Sequence, residues 1–344
     1  MSRTAVIICP GRGTYNKPEH GYLQRHHSDK AHLFAEFDDL RRDAGQPEIT
    51  RLDGEGQFSA GLHTRGDVAS PLIYAASYAD ALSIPDDIEI VGVTGNSMGW
   101  YIALAVARAL SATDGFRVVN TMGTLMQKQL IGGQLIYPFV GEDWQNDLLA
   151  KSAILDAVRE IDKRSDHVLA LSIDLGGMLV LAGNEAGLTT FESQVPQAQG
   201  RYPMRLPNHA AFHTHLQSPI AALGRQNIDA AMFGQPSIPM VDGRGEIWWP
   251  HSTDCSALYE YTFGHQVTQP YDFTKAIQTA ARELAPDVFI VTGPGNTLGG
   301  AVAQSLILEE WRGMRSKSEF MTRQIANPIL VSMGLAAQRS TVLL

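Results

Sequence analysis

The residues Gly95-Asn96-Ser97-Met98-Gly99 constrain this chain more than any others. They follow Ile88-Glu89-Ile90-Val91-Gly92-Val93, a mostly apolar β-branched run of the kind that enters a parallel sheet. They precede 100–110, where Ala, Leu and Val recur at helical spacing without Gly or Pro. Strand, tight turn and helix form the context in which Gly-x-Ser-x-Gly becomes a nucleophile elbow, with the serine hydroxyl held above the sheet. The glycines let the backbone fold back on itself, and the following helix aims free N–H groups at the same point. Ser97 is therefore the candidate nucleophile.

Ala5-Val6-Ile7-Ile8-Cys9, closed by Pro10-Gly11, and Val288-Phe289-Ile290-Val291, closed by Gly293-Pro294-Gly295, read as two more buried parallel strands. Helical spacing runs over 29–44 and 69–82, whereas 46–65 is broken by Pro, Gly, Asp and Ser and reads as a surface excursion. Near 130 the pattern changes. Residues 134–139, 170–174 and 178–182 read as short strands, with a helix over 147–163. The expectation is an α/β fold with an α+β unit inserted over about 130–205, and 344 residues fit roughly two units. No Pro- or Ser-rich linker separates them, so the two parts should pack together.

Charge and cysteine usage exclude several classes. The 27 Lys+Arg and 36 Asp+Glu give a net charge of -9, which repels a phosphate backbone and argues against nucleic acid as a partner. Cys9 and Cys255 are too few for a disulfide framework or a zinc ribbon, which points to a reduced, cytoplasmic setting. The stretch from Met1-Ser2-Arg3-Thr4 to Cys9 is too short for a signal-peptide core, and no apolar run reaches membrane-spanning length. A membrane is therefore not expected as a partner. Of the 11 histidines, His209, His213 and His215 cluster after Pro207 without carboxylate or thiolate company, so no metal site is expected there.

Four ordered blocks between residue 5 and about 310 carry a resemblance. They are Pro10-Gly11-Arg12-Gly13-Thr14, the elbow at 95–99, Ala211-Phe212-His213-Thr214 and Gly293-Pro294-Gly295-Asn296-Thr297-Leu298. Together they resemble the malonyl-CoA:acyl-carrier-protein transacylases and the acyltransferase domains of fatty-acid and polyketide synthases. The resemblance implies an α/β-hydrolase-like domain over 1–129 and 206–344, with a ferredoxin-like subdomain over 130–205 and the cleft between them. It implies an acyltransferase in which Ser97 is nucleophile and His213 is base, with the backbone N–H groups of Arg12 and Met98 as oxyanion hole. Gln269 stands where the family's histidine-orienting residue lies, and Met122, Asn96 and Phe212 are placed in the acyl pocket. No tightly bound cofactor is implied. The substrates would be an acyl-CoA and the phosphopantetheine thiol of an acyl carrier protein.

The chain departs from that pattern where it matters for specificity. Met122 stands where malonyl-using members carry an arginine for the malonyl carboxylate, which points to an uncharged acyl group, from acetyl to medium chain. Arg12 and Arg117 are the two nearby cations that could substitute, although the five-residue offset from 117 to 122 puts those side chains on different helix faces. Arg12, Asn96 and Gln269 replace the family's Gln, His and Asn. Hydrolysis of the acyl-serine, or a catalytically silent role in a fatty-acid or polyketide pathway, are the alternatives. Arg312, Arg315, Lys317 and Arg323 form the densest basic cluster, a candidate docking surface for an acidic carrier.

Overall fold

The computed structural model describes residues 3–343. Met1, Ser2 and Leu344 lie outside them. In chain order the strands are β1 (Arg3–Cys9), β2 (Ile88–Gly95), β3 (Gly133–Pro138), β4 (Leu169–Leu175), β5 (Met178–Gly183), β6 (Met204–Arg205), β7 (Met240–Val241), β8 (Ile247–Trp248), β9 (Tyr271–Asp272), β10 (Val288–Val291) and β11 (Leu330–Ser332).

Six of them form one sheet in the order β11-β10-β1-β2-β7-β8, parallel throughout except for the β7–β8 pair. Residues 5–9 are buried because β10 and β2 flank β1 and both faces of the sheet are covered, which is why that stretch shows no polar alternation. The helix Gly66–Ala81 packs on this body although it contains Pro71. The carbonyl of Asp67, which would have accepted the amide hydrogen that Pro71 lacks, accepts instead from Nη1 of Arg41 at 3.0 Å. The helix Ala112–Gln129 crosses it so closely that a Cβ on Gly123 would stand 2.5 Å from the Gly66 carbonyl oxygen.

The segment 46–65 is more structured than its composition implied. It forms the short helices Ile49–Gly54 and Ala60–His63 and buries Ile49, Leu52, Asp53 and His63. Asp53 accepts from the Tyr15 hydroxyl and from the backbone N–H groups of Tyr22 and Leu23, which satisfies a buried carboxylate from a distant part of the chain.

A second sheet has the order β6-β3-β5-β4-β9. Its first four strands are antiparallel and alternate with the helices Leu148–Asp162 and Glu185–Gln194 in the sequence β-α-β-β-α-β. The fifth, β9, arrives from far along the chain and pairs with β4 in parallel, Ile173 opposite Tyr271 and Asp174 opposite Asp272. The second sheet is thereby hydrogen-bonded to the main body. The last part of the chain is also built in: β11 closes the large sheet, and the helix Ala336–Leu343 buries Arg339 against Asp80 at 2.6 Å.

Candidate active site

β2 ends at Gly95, and the helix Gly99–Val106 begins four residues later. Between them Ser97 holds a φ of 56°, in the left-handed region that costs a side-chain-bearing residue about 1–2 kcal/mol. Both glycines of the turn are sterically required. A Cβ on Gly95 would lie 2.2 Å from the carbonyl carbon and oxygen of Gly99, and one on Gly99 would lie 2.2 Å from the Cys9 carbonyl oxygen.

Ser97 Oγ lies 2.8 Å from Nε2 of His213. The other ring nitrogen, Nδ1, stands 2.6 Å from the backbone carbonyl oxygen of Gln266. A carbonyl only accepts, so Nδ1 carries the hydrogen and Nε2 is left as the acceptor for the serine hydroxyl. Burial lowers the His213 imidazole to about 4, against the opposing bond to Gln266, so the ring is neutral at neutral pH and able to take a proton from Ser97.

The carbonyl that orients His213 therefore belongs to Gln266. Gln269, expected in that role, is exposed at the end of the short helix His265–Thr268, about one turn further on. Gln266 does more. Its side-chain Nε2 donates to the Ser97 carbonyl at 3.0 Å, and its Oε1 accepts from the Tyr101 hydroxyl at 3.0 Å. One buried residue thus touches both halves of the pair, and nothing in its local sequence marks it. Tyr271 adds a third tie, donating its hydroxyl to the Gly95 carbonyl while its ring packs 5.3 Å from that of His213.

The loop after β1 approaches the elbow closely, since a Cβ on Gly11 would stand 2.6 Å from the Asn96 carbonyl oxygen. Among the described residues, neither the backbone N–H of Arg12 nor that of Met98 has an acceptor. Two cavities meet at Ser97. A wide cleft of about 740 Å³ runs between the two sheets and is lined by Asn96, Thr14, Ile136, Ile173 and Gln304. A narrow apolar pocket of about 30 Å³ continues beneath, lined by Met122, Met126, Val119, Phe212 and Val267. Ser97, Arg12 and Phe212 border both.

Met122 and Phe212 line the narrow pocket. Asn96 does not: it follows the strand end, its N–H bonded to the Cys9 carbonyl at 3.0 Å, and it faces the wide cleft. Arg117 is exposed and paired with Asp114 at 3.2 Å, away from either cavity. Of the histidines near His213, His209 borders the wide cleft with Nδ1 against the Pro207 carbonyl, and His215 is exposed. Among the described residues, no group of three His, Cys, Asp or Glu could hold a metal, and no helix is long and apolar enough to cross a membrane.

The basic cluster is only partly free. Arg315 pairs with Glu310 at 2.9 Å, Arg312 donates to the Pro286 carbonyl and stacks on Trp311, and Lys317 lies 4.9 Å over the Trp144 ring at the cleft rim.

No protein-family model matches the chain. Polyketide synthase GfsA of Streptomyces halstedii is 23% identical over 292 residues, 83% of this chain and 4% of that protein. The malonyl CoA-acyl carrier protein transacylase of Bacillus subtilis is 23% identical over 210 residues, 60% of this chain and 62% of that one. A crystal structure of malonyl-CoA:acyl carrier protein transacylase from Xanthomonas oryzae superposes with a TM-score of 0.78 at 19% identity, covering 100% of this chain and 98% of that one. The fold is the transacylase fold. Its sequence relatives and its structural neighbours are malonyl-CoA:acyl carrier protein transacylases and polyketide synthases, the family that the four blocks resemble. The aligned region spans a few per cent of the synthase and under two thirds of the Bacillus transacylase.

Proposed function

We propose that this chain is an acyltransferase that moves a short acyl group from coenzyme A to the phosphopantetheine thiol of an acyl carrier protein through an acyl-Ser97 intermediate. The observation that carries this reading is the 2.8 Å contact between Ser97 Oγ and a neutral His213 Nε2, with two uncommitted backbone N–H groups beside it. As Oγ attacks the thioester carbon, its proton passes to Nε2 and a C–O bond forms. The N–H groups of Arg12 and Met98 meet the charge that develops on the carbonyl oxygen. The C–S bond then breaks, and the sulfur leaves with the proton held on His213. The acceptor thiol reverses these steps: its proton goes to His213, its sulfur attacks the acyl carbon, and Ser97 Oγ recovers the proton.

In this reading 130–205 is a ferredoxin-like subdomain set over an α/β-hydrolase-like domain of 1–129 and 206–344, and the wide cleft between the two sheets admits the pantetheine arm. The narrow pocket holds the acyl group and has room for only a few heavy atoms, which favours the short end of the acetyl to medium-chain range. Intact-protein mass spectrometry after brief exposure to acetyl-, malonyl- and octanoyl-CoA tests the reading, with Ser97→Ala as the blank. A serine-dependent adduct with a short donor that discharges onto carrier protein is expected. Discharge to water at the same rate without carrier would make the protein a hydrolase, and the absence of any adduct or turnover would sink the reading.

A further inference from the structure

The depth of the narrow pocket depends on a residue that does not line it. Met122, on the helix Ala112–Gln129, forms part of the pocket wall and is buried. Behind it passes the helix Ser218–Asn227, which turns Ile220, Ala221 and Gly224 inward. A Cβ on Gly224 would stand 2.9 Å from the Met122 sulfur, 3.5 Å from its Cε and 3.1 Å from Cδ1 of Phe263. Gly224 is not among the residues that border the pocket, so Met122 stands between the two.

The backbone gives no reason for a glycine at this position. Gly224 lies inside a helix, where alanine is more favourable than glycine, and its φ is not positive. The reason is steric: the thioether end of Met122 occupies the place that a Cβ would take. Methionine is unbranched and turns about three side-chain bonds, so it can withdraw into such a gap and can also be driven out of it. A close-packed interior yields where there is room. Phe263 is fully buried, whereas Met122 borders the empty space of the pocket, so a side chain at 224 would push the Met122 sulfur and methyl group into that space.

We propose that Gly224 sets the length of acyl chain that Ser97 accepts, by giving Met122 a recess to withdraw into and so leaving the pocket open to a straight chain of two or three carbons. This rests on the acyl-Ser97 reading above. Gly224 touches no substrate and is a positioning residue that acts through Met122. The stop at the pocket's end is then adjustable from both sides. Filling the recess at 224 shortens the accepted chain, and trimming Met122 joins the recess to the pocket and lengthens it.

The test compares rates of Ser97 acylation by acetyl-, propionyl- and hexanoyl-CoA in the intact protein, in Gly224→Ala, in Met122→Ala and in the double variant. The wild type should take acetyl- and propionyl-CoA in preference to hexanoyl-CoA. In Gly224→Ala the propionyl-to-acetyl ratio of kcat/KM should fall about 10-fold, and in Met122→Ala the hexanoyl-to-acetyl ratio should rise about 10-fold, the scale on which a methylene counts in an apolar pocket. Adding Gly224→Ala to Met122→Ala should move either ratio by no more than about twofold, because the side chain that carries the effect is gone. A general loss of packing at 224 would not depend on Met122 in this way. Should Gly224→Ala fail to fold, restored folding in the double variant would support the link and its absence would overturn it. A wild type that takes hexanoyl-CoA as readily as acetyl-CoA, a ratio insensitive to Gly224→Ala, or the same fall with and without Met122 would overturn the inference alone. Failure of every donor would overturn the acyl-serine reading and this inference with it.

Discussion

Ser97 and His213 sit on turns of the same unusual kind, with φ of 56° and 58°, yet the two turns are held by different means. The Ser97 turn is built from within: Gly95 and Gly99 close onto each other and onto Cys9, where no other residue would fit. The His213 turn is held from outside. Its N–H bonds to the Val267 carbonyl, its ring to Gln266, the Phe212 carbonyl to Ser172 and the Ala211 N–H to Ile131. Backbone strain of about 1–3 kcal/mol must be held by something, and here one turn uses its own glycines while the other uses three distant segments.

The sharpest way to break this contrast is Gly95→Ala. With its Cβ driven into the backbone of Gly99, the variant should lose about 3 kcal/mol or more of stability and all detectable acylation of Ser97. Thermal unfolding together with the mass assay checks this, and a wild-type melt would show that the turn is not locally built.

A smaller effect is expected on the externally held side. Gln266→Ala keeps the carbonyl that faces His213 but removes the bonds to Ser97 and Tyr101, and kcat should fall about 10- to 100-fold through misplacement with KM little changed. Gln269→Ala, exposed and outside that network, should stay within about twofold of wild type. Steady-state kinetics on both variants decide it, and equal losses would erase the distinction between the two glutamines.

The smallest effect is in pH dependence. Burial lowers His213 to about 4, and burial together with the charge of Arg12 lowers His209 to about 3. The unfolded chain, with ordinary histidines near 6.5, then binds more protons than the folded one in the interval below that value. Stability should fall as pH drops from about 6.5 toward 4, and denaturant unfolding between about pH 7 and pH 5 should show a shallower slope in His213→Gln than in wild type. Identical slopes would mean that His213 is not buried neutral.

The contrast also explains what could be read from the chain. The elbow was legible because its strain is answered by adjacent glycines, and the strands at 5–9, 88–93 and 288–291 were legible because burial on both faces leaves an apolar run. His213 stood out only through the block 211–214, since its supports come from residues 131, 172 and 266–267. Gln266 was missed because the pairing of its carbonyl with Nδ1 is settled by how the helix 265–268 docks, and the family position pointed one turn too far. The stretch 46–65 read as surface because Asp53 resembles a loop residue until Tyr15, Tyr22 and Leu23 are brought to it. Arg12 was legible as an oddity, but its place beside Ser97, donating to the Thr64 carbonyl, is a property of the folded pocket.

Arg339 gives the final helix a significance beyond its size. Asp80 is fully buried and accepts from Arg339, His27, Tyr22 and the N–H of Gly293. Burial alone would raise its carboxyl, but the bond from His27 and the charge of Arg339 hold it below its ordinary value. Loss of this helix would take the Arg339 cation from the buried carboxylate and leave it with His27, Tyr22 and the Gly293 N–H, so damage at the surface would be felt as loosening far inside the molecule, beneath the turn at 293–295.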